Sequence, residues 1–292
     1  MIHTLDLAFL GEEKTIAAFL VETYDGPVLF ETGPYSCFPQ LEKEISRIGY
    51  TIHDIQHVFL THIHLDHAGA AWAFAELGAK IHVHPLGVRH LSSPERLMES
   101  ARRIYKDKMD ELWGEMKPIP MESIVPAEHE SVVMVANEKI TAWHSPGHAI
   151  HHIAWQVKEE LITGDVAGVK IGDGIVVPPC PPPDINLEDW MESIALMRKI
   201  NPSALYLTHF GKITDITIHL DALEKVLNDW ANWIKPHWEA GADPAAITPL
   251  FQAYTHQQLV TAGIPKEDLP RYEKANPSWM SVVGLMRYWS KK

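Results

Sequence analysis

Short apolar runs alternate with helix-period segments over roughly the first two thirds of the chain. Nine runs have the length and composition of strands, at residues 16–22, 28–30, 58–60, 80–83, 132–135, 140–143, 153–157, 161–163 and 204–207. The turn residues 24–27, Tyr-Asp-Gly-Pro, join the first two into a hairpin. Because helical segments separate several of the other runs, the pattern predicts an α/β layer architecture.

Four segments in the same region show helical spacing. Residues 41–48 end at Gly49, which is a good helix stop, and residues 68–77 follow the third strand-like run. Residues 187–200 form another helical pattern, with Asn186 available as its cap. The longest pattern, 94–112, interrupts the strands. It is interpreted as a wall or lid over a site or, equally, as a packing insertion, because periodicity shows burial and not purpose.

No strand pattern appears from about residue 215 onward. Apolar residues at helical spacing cover 220–234, and two shorter helical patterns lie near 245–262 and 280–289. We therefore predict two parts, a main domain over 1–214 and a helical extension over 215–292. The extension is expected to pack on the main domain or on a neighbouring subunit, which would make the protein a homo-oligomer.

Charge and composition restrict the class of partner. The net charge is −13 and the basic residues are scattered, whereas nucleic-acid binding needs clustered lysine and arginine. No apolar run approaches the about 20 residues of a membrane span, and no signal-peptide pattern opens the chain. Cys37 and Cys180 are too few for a disulfide framework, and Cys180 lies in a proline-rich loop. These features predict a cytoplasmic protein that acts on a small molecule, without nucleic-acid or membrane partners.

Histidine is over-represented, with 18 residues, and it concentrates where strands end. Directly after the run at 58–60 the chain reads Thr61-His62-Ile63-His64-Leu65-Asp66-His67. Four ligand-type side chains within six positions form a nitrogen and oxygen set suited to zinc, iron or manganese. Ligands in α/β folds collect at the carboxyl ends of strands. The stretch therefore predicts a metal site on a strand-to-helix loop.

Three more polar residues follow strand-like runs at a distance in sequence. These are His148 after Ser-Pro-Gly, Asp165 after Thr-Gly, and His209 in a second apolar-Thr-His sequence that echoes the one ending at His62. If these strand ends converge, the seven residues are enough for two metal ions about 3.5 to 4 Å apart. His144, His151 and His152 flank His148 and remain alternative ligands.

This ordered motif resembles the metallo-β-lactamase superfamily over about residues 1 to 215. The resemblance implies a four-layer αββα sandwich, here with a C-terminal helical extension. It also implies that His62, His64 and His148 bind one metal ion, that Asp66, His67 and His209 bind the second, and that Asp165 bridges both. The expected cofactors are two divalent ions, with zinc first and iron or manganese as alternatives.

The implied chemistry is hydrolysis by a metal-bridging hydroxide, with Asp66 as the catalytic residue that orients it and accepts its proton. Glu31 stands where many members carry aspartate, and it is expected to support the ligand loops. His84 and Tyr35 are expected near the site or its pocket. The hypothesis is a hydrolase of thioesters or lactones. The alternatives are an iron-dependent oxidoreductase similar to persulfide dioxygenases, and a non-catalytic metal-binding module.

Overall fold

The computed structural model describes residues 1–292 and contains two six-stranded sheets packed face to face. The first sheet holds the strands in the order β1-β2-β3-β4-β5-β6, namely Ile2–Asp6, Ala17–Thr23, Gly26–Phe30, His57–Phe59, Lys80–Val83 and Ile124–Pro126. The second holds them in the order β12-β11-β10-β9-β8-β7, which in chain order are Val132–Val135 (β7), Glu138–His144 (β8), Ile153–Val157 (β9), Glu160–Gly164 (β10), Ala204–Leu207 (β11) and Gly211–Ile213 (β12). Both sheets mix parallel and antiparallel pairs.

Eleven α-helices complete the chain and cover the outer faces of the sheets. They are Phe38–Arg47 (α1), Leu65–Ala68 (α2), Ala71–Glu76 (α3), Val88–Ser92 (α4), Glu95–Tyr105 (α5), Met109–Leu112 (α6), Leu187–Ile200 (α7), Ile216–Glu239 (α8), Pro244–Thr261 (α9), Leu269–Ala275 (α10) and Ser278–Ser290 (α11). Each sheet thus has a helical layer outside it, and the sheets share an inner core.

The inner core consists of apolar side chains from both sheets. Phe30 stacks on Phe59 at 4.9 Å between ring centroids, and Phe59 meets Trp155 of the second sheet edge-on at 5.0 Å. Separate apolar clusters fill the space between each sheet and its helices. This is the predicted four-layer αββα sandwich, and the prediction of its fold class is confirmed.

Several predicted elements need correction. The helical pattern at 94–112 is not one helix, because the chain breaks at Lys106, whose φ of 51° is left-handed. α5 ends there and α6 resumes at Met109. The sequence also failed to predict β1, β6 and β12. β1 contains His3, Thr4 and Asp6 and lies at a sheet edge, and the other two have only three residues each, too few to establish a period.

The C-terminal helices pack on the second sheet of the same chain. Leu220, Leu223 and Leu227 of α8 are fully buried in one cluster with Ile194 of α7 and Leu205 of β11. Although α8 begins close to the predicted boundary, the division into two domains stays a prediction, as does packing on a neighbouring subunit. No helix combines the length and apolar character that a membrane crossing requires.

Candidate metal centre

Loops at one edge of the sandwich bring the predicted ligands together. His62 and His64 follow β4, and Asp66 and His67 lie in the first turn of α2. The other three follow strands of the second sheet: His148 lies in the loop after β8, Asp165 directly follows β10, and His209 is the second residue after β11. Four different segments of the chain therefore supply one site, as the strand-end argument predicts.

Three imidazoles form the first group. His64 Nδ1 lies 2.9 Å from His62 Nε2 and 3.1 Å from His148 Nε2. The rings of His62 and His148 are almost fully buried, whereas His64 is partly exposed. Three ring nitrogens that face one another at this distance are a natural set of ligands for one cation.

The second group contains a carboxylate and two imidazoles. Asp66 Oδ2 lies 3.4 Å from His209 Nε2 and 3.8 Å from His67 Nε2. Asp165 stands between the two groups. Its Oδ1 lies 3.4 Å from the Nε2 atoms of both His67 and His209, and its Oδ2 lies 3.3 Å from His148 Nε2. One carboxylate thus turns a different oxygen toward each group.

Backbone carbonyls fix the tautomers of two ligands. His148 Nδ1 donates to the carbonyl of Pro179 at 2.8 Å, and His209 Nδ1 donates to that of Thr15 at 2.6 Å. Because a carbonyl oxygen only accepts, the ring proton must be on Nδ1. In the neutral ring this leaves the Nε2 lone pair directed into the site, as metal-binding histidines require.

The residues fit divalent metal ions. Buried His67 Nε2, His209 Nε2 and Asp165 Oδ1 have no hydrogen-bond partner in the protein, although such atoms are normally paired. In a tetrahedral zinc site whose ligand atoms lie about 2.1 Å from the ion, neighbouring ligand atoms are about 3.4 Å apart. The separations of 3.3 to 3.4 Å between Asp165 and the imidazole nitrogens match this distance. A donor set of nitrogen and carboxylate oxygen is chemically appropriate for such an ion.

A sequence model of the metallo-beta-lactamase superfamily matches residues 12–209, about two thirds of the chain. The chain belongs to this superfamily. The fold of this superfamily implies binding of divalent metal ions, and the two groups with Asp165 between them supply suitable His and Asp side chains.

Individual relatives are distant. The metallo-beta-lactamase fold-containing protein ST1585 of Sulfurisphaera tokodaii is 27% identical over 164 residues, which are 55% of this chain and 62% of that protein. An atrochrysone carboxyl ACP thioesterase of Aspergillus fumigatus is 25% identical over 170 residues, 58% of this chain and 31% of the fungal protein. The match therefore spans less than two thirds of either relative.

Solved structures in the superfamily share the fold over most of the chain. The family protein TTHA1429 of Thermus thermophilus superposes with a TM-score of 0.72 at 17% identity and covers 99% of this chain and 93% of its own. The structure of ST1585 gives a TM-score of 0.63 at 22% identity, covering 77% and 86%. Because the first superposition covers nearly the whole chain, the C-terminal helices are part of the shared architecture.

The histidine pKa values shift in opposite directions in the two groups. Burial, together with the neighbouring imidazoles, lowers the pKa of His62 well below its usual value and that of His64 to about 3. Burial opposes ionisation of Asp66, but the positive charges of His67 and His209 outweigh it and lower the pKa to about 2.

His67 and His209 shift in the opposite direction. Burial opposes their protonation, but the carboxylates of Asp165 and Asp66 outweigh it and raise both pKa values. The metal-free second group therefore holds protons beside its carboxylates. A metal ion must displace these protons when it binds.

Glu31 lies immediately behind the second group. It directly follows β3, is fully buried and has a left-handed backbone with φ of 62°. Its Oε1 accepts from the backbone N–H of Thr61 at 3.3 Å, and its Oε2 lies 3.4 Å from His67 Nδ1. The carboxylate contacts both the ligand loop and the outer nitrogen of a ligand, where a supporting role is expected.

The other two predicted residues lie outside the ligand groups. The ring of His84 packs against that of His144 at 4.0 Å between centroids, and its Nδ1 accepts from the N–H of Leu86. Tyr35 packs against Phe38 and Trp72. Neither belongs to a potential metal-binding group, and neither do the alternative ligands His144, His151 and His152. Cys180 is a fully buried thiol whose pKa is raised by burial.

Two further residues lie beside the site: His152, which the sequence offered as an alternative ligand, and Tyr105, which the sequence did not single out. His152 Nε2 accepts from the backbone N–H of Asp165 at 3.3 Å, while its Nδ1 is paired with Ser145 Oγ at 2.9 Å. This ring therefore holds the bridging loop. Tyr105 lies near enough to Asp66 that this charge adds to burial in raising the pKa of the phenol. Its position in the 94–112 pattern gave no sign of this, since helical spacing does not show which element is opposite.

Proposed function

We propose that the protein is a metal-dependent hydrolase that cleaves a small carbonyl substrate, a thioester or a lactone. The observation that carries the proposal is the position of Asp165. Its two oxygens lie within 3.4 Å of ligand atoms from both groups, so one carboxylate spans a pair of three-residue sites. Two adjacent sites joined in this way are suited to activating a water molecule and polarising a carbonyl group together.

The reaction is a simple acyl transfer to water. The bond between the carbonyl carbon and sulfur or ring oxygen breaks, and a bond from that carbon to the water oxygen forms. One water proton ends on the released thiolate or alkoxide, and the carboxylic acid loses its own proton at neutral pH. When bound, the divalent ions supply Lewis acidity and lower the pKa of water toward neutrality.

The residues of the chain take distinct roles in this proposal. His62, His64 and His148 hold one ion, and His67, His209 and Asp66 hold the other. Asp66 is more exposed than Asp165, because 23% of its side chain is accessible, compared with 5% for Asp165. An ionised and accessible Asp66 Oδ is therefore the group that orients water and accepts its proton.

The choice of substrate class rests on a relative and on charge. One relative has the name atrochrysone carboxyl ACP thioesterase, and this name describes a protein that acts on a thioester. The net charge of −13 disfavours a polyanionic substrate such as a nucleic acid. We propose zinc as the ion because all seven ligands are imidazole or carboxylate; iron and manganese accept the same ligands.

The test is metal analysis combined with a substrate panel. The purified protein is expected to bind about two equivalents of zinc and to hydrolyse thioesters or lactones, with activity lost on chelation and restored by zinc. Asp165→Asn keeps the side-chain size but removes the bridging charge. It is expected to lose at least one equivalent and to reduce kcat/KM at least about 100-fold.

Asp25→Asn is the matched control, because Asp25 is exposed at the hairpin turn between β2 and β3. It should keep both ions and full activity. Two bound ions in Asp165→Asn would contradict the bridging role. Oxygen uptake with a persulfide substrate and no hydrolysis would contradict the hydrolase proposal, and two bound ions without either activity would favour a metal-binding module.

A further inference from the structure

The metal site opens to solvent on one side, beside Asp66. Among the seven ligand side chains Asp66 and His64 alone are partly exposed, while the other five are buried. Tyr105, at the end of α5, lies close enough to Asp66 that the charge of this carboxylate adds to burial in raising the pKa of its hydroxyl group.

Aromatic side chains from distant parts of the chain meet at this opening. Tyr105 contacts Trp113 edge-on at 5.1 Å and Trp279 of α11 at 6.3 Å between ring centroids. All three are only half-buried, so ring surface remains accessible. We call these three residues the aromatic wall. Phe9 is buried behind it and stacks on Trp113 at 5.7 Å.

The wall is attached to the loop that supports the second ligand group. The backbone N–H of Ser36 donates to the carbonyl of Trp113 at 3.3 Å, and Ser36 Oγ donates to that of Leu112 at 2.6 Å. The same loop begins at Thr32, whose N–H donates to the carbonyl of His67 at 2.8 Å. The distance between wall and ligands is thus set by a short, hydrogen-bonded segment and not by a free surface loop.

Two donors of the wall lack good partners. The indole N–H of Trp113 is buried without a hydrogen-bond partner. The hydroxyl group of Tyr105 has only the thioether sulfur of Met280, at 3.9 Å, which is a weak acceptor. A donor whose only acceptor is weak gains from a better one, so a ligand oxygen beside the Tyr105 hydroxyl group would be favoured.

We propose that the aromatic wall binds the acyl part of the substrate and selects a planar, aromatic acyl group that carries oxygen acceptors. Flat rings stack on the indole and phenol faces, and the Tyr105 hydroxyl group donates to an acceptor of the ligand. The inference rests on the proposed hydrolase function, and it gives the C-terminal helix α11 a part in specificity through Trp279.

Matched thioesters test this selection. The zinc-loaded protein is expected to hydrolyse a 2-naphthoyl thioester with KM at least about tenfold lower than for the decahydro-2-naphthoyl thioester, which has the same carbon skeleton without the aromatic faces. Trp279→Leu should remove most of that difference through KM, with kcat and zinc content little changed. Trp233→Leu is the control, because Trp233 is a half-buried tryptophan of the same extension that packs on Phe251 and Tyr254, distant from Tyr105.

A binding measurement separates this inference from the proposed function. By calorimetry, the zinc-loaded protein should bind 2-naphthoate about tenfold more tightly than decahydro-2-naphthoate, and Tyr105→Phe should weaken binding of 6-hydroxy-2-naphthoate more than that of 2-naphthoate. If no thioester or lactone is cleaved but this binding preference persists, the proposed binding role of the aromatic wall is supported and the hydrolase proposal is wrong. If hydrolysis occurs without any preference, or if Trp279→Leu keeps the preference, the wall proposal is wrong.

Discussion

At the residue scale, the ligands depend on side chains that do not themselves face the ions. Glu31 contacts His67 Nδ1, and His152 holds the backbone of Asp165. Such partners set the orientation and basicity of a metal ligand, and their loss costs about 10- to 100-fold in metal affinity. The longer arm of Glu31 reaches His67 from a left-handed backbone, so both its length and its conformation matter.

Glu31→Gln should lower the affinity of the second ion by about 10- to 100-fold, because it keeps the shape of the side chain but removes the charge opposite His67. Zinc affinity measured by competition with a chelator provides the test. Glu239→Gln, at an exposed position in the last turn of α8, should leave the affinity unchanged. Equal affinities in the two variants would show that Glu31 does not support the ligand.

Zinc affinity should also fall as the pH is lowered from 8 to 6. His67 and His209 have raised pKa values in the metal-free protein, so they bind protons that zinc must displace. Their ion pairs stabilise the metal-free protein below the unfolded-state pKa of about 6.5, and this stability is lost as the pH rises through the folded-state pKa values.

Each displaced proton weakens zinc binding by up to about tenfold per pH unit. Calorimetry in buffers with different heats of ionisation would count the protons released. Release of no protons between pH 6 and 8 would show that these two imidazoles are already neutral without zinc.

At the element scale, α7 positions the loop that carries His148. Asn186 caps this helix by accepting from the N–H groups of Glu188 and Asp189, and its own N–H donates to the carbonyl of Gly147 at 3.0 Å. Ser193 of the helix donates to the carbonyl of Pro146 at 2.6 Å. The helix and the ligand loop therefore form one hydrogen-bonded unit.

Gly147→Ala should disrupt this unit. An added Cβ would lie 2.4 Å from the Cα of Trp190, so backbone would have to move, and the φ of 128° is unfavourable for alanine. We expect a loss of about 3 kcal/mol in unfolding free energy, measured by urea denaturation, together with weaker zinc binding through His148.

Gly241→Ala is the control for this variant. Its φ of 66° is also positive, but nothing lies within 4 Å of the added Cβ. It should cost about 1 kcal/mol, from the backbone alone. Equal losses in both variants would show that the close approach of α7 to the loop is unimportant.

At the scale of the whole molecule, the C-terminal helices are joined to the main domain by a shared core and by polar contacts. Tyr272 of α10 donates to the carbonyl of Ile175 at 2.9 Å, and Asn276 donates to that of Pro178 at 3.1 Å. Pro178 adjoins Pro179, whose carbonyl accepts from the ligand His148. The tail therefore supports the second-sheet side of the metal site.

Truncation after residue 214 should prevent stable folding. Burial of each of the three leucines of α8 stabilises the folded state by about 1.5 to 3 kcal/mol, and removal of the helix would also expose the core surface that they cover. The free energy of unfolding of a whole domain is only about 5 to 15 kcal/mol. Solubility and thermal unfolding of residues 1–214 test this. A soluble fragment that unfolds cooperatively and binds zinc would show that the two predicted parts fold independently.

The sequence by itself predicted an α/β layer architecture and singled out the seven residues that the structure brings together. Strand-length apolar runs, the hairpin turn and the capped helix α7 are local patterns, and local patterns are visible in a chain. The ligands were visible because strand ends in such folds converge, so histidines and aspartates that follow strands at great sequence distance can be grouped. The family resemblance added how they divide between two ions.

Only the tertiary structure decided what surrounds those ligands. It placed His152 behind Asp165, directed the Pro179 and Thr15 carbonyls to ligand rings, and brought Tyr105 beside Trp279. It also broke the 94–112 pattern at Lys106. These contacts join residues that are far apart in sequence, and neither periodicity nor residue type shows which elements meet. The residue types of the candidate site can thus be predicted from the sequence, whereas the partners that surround them depend on packing.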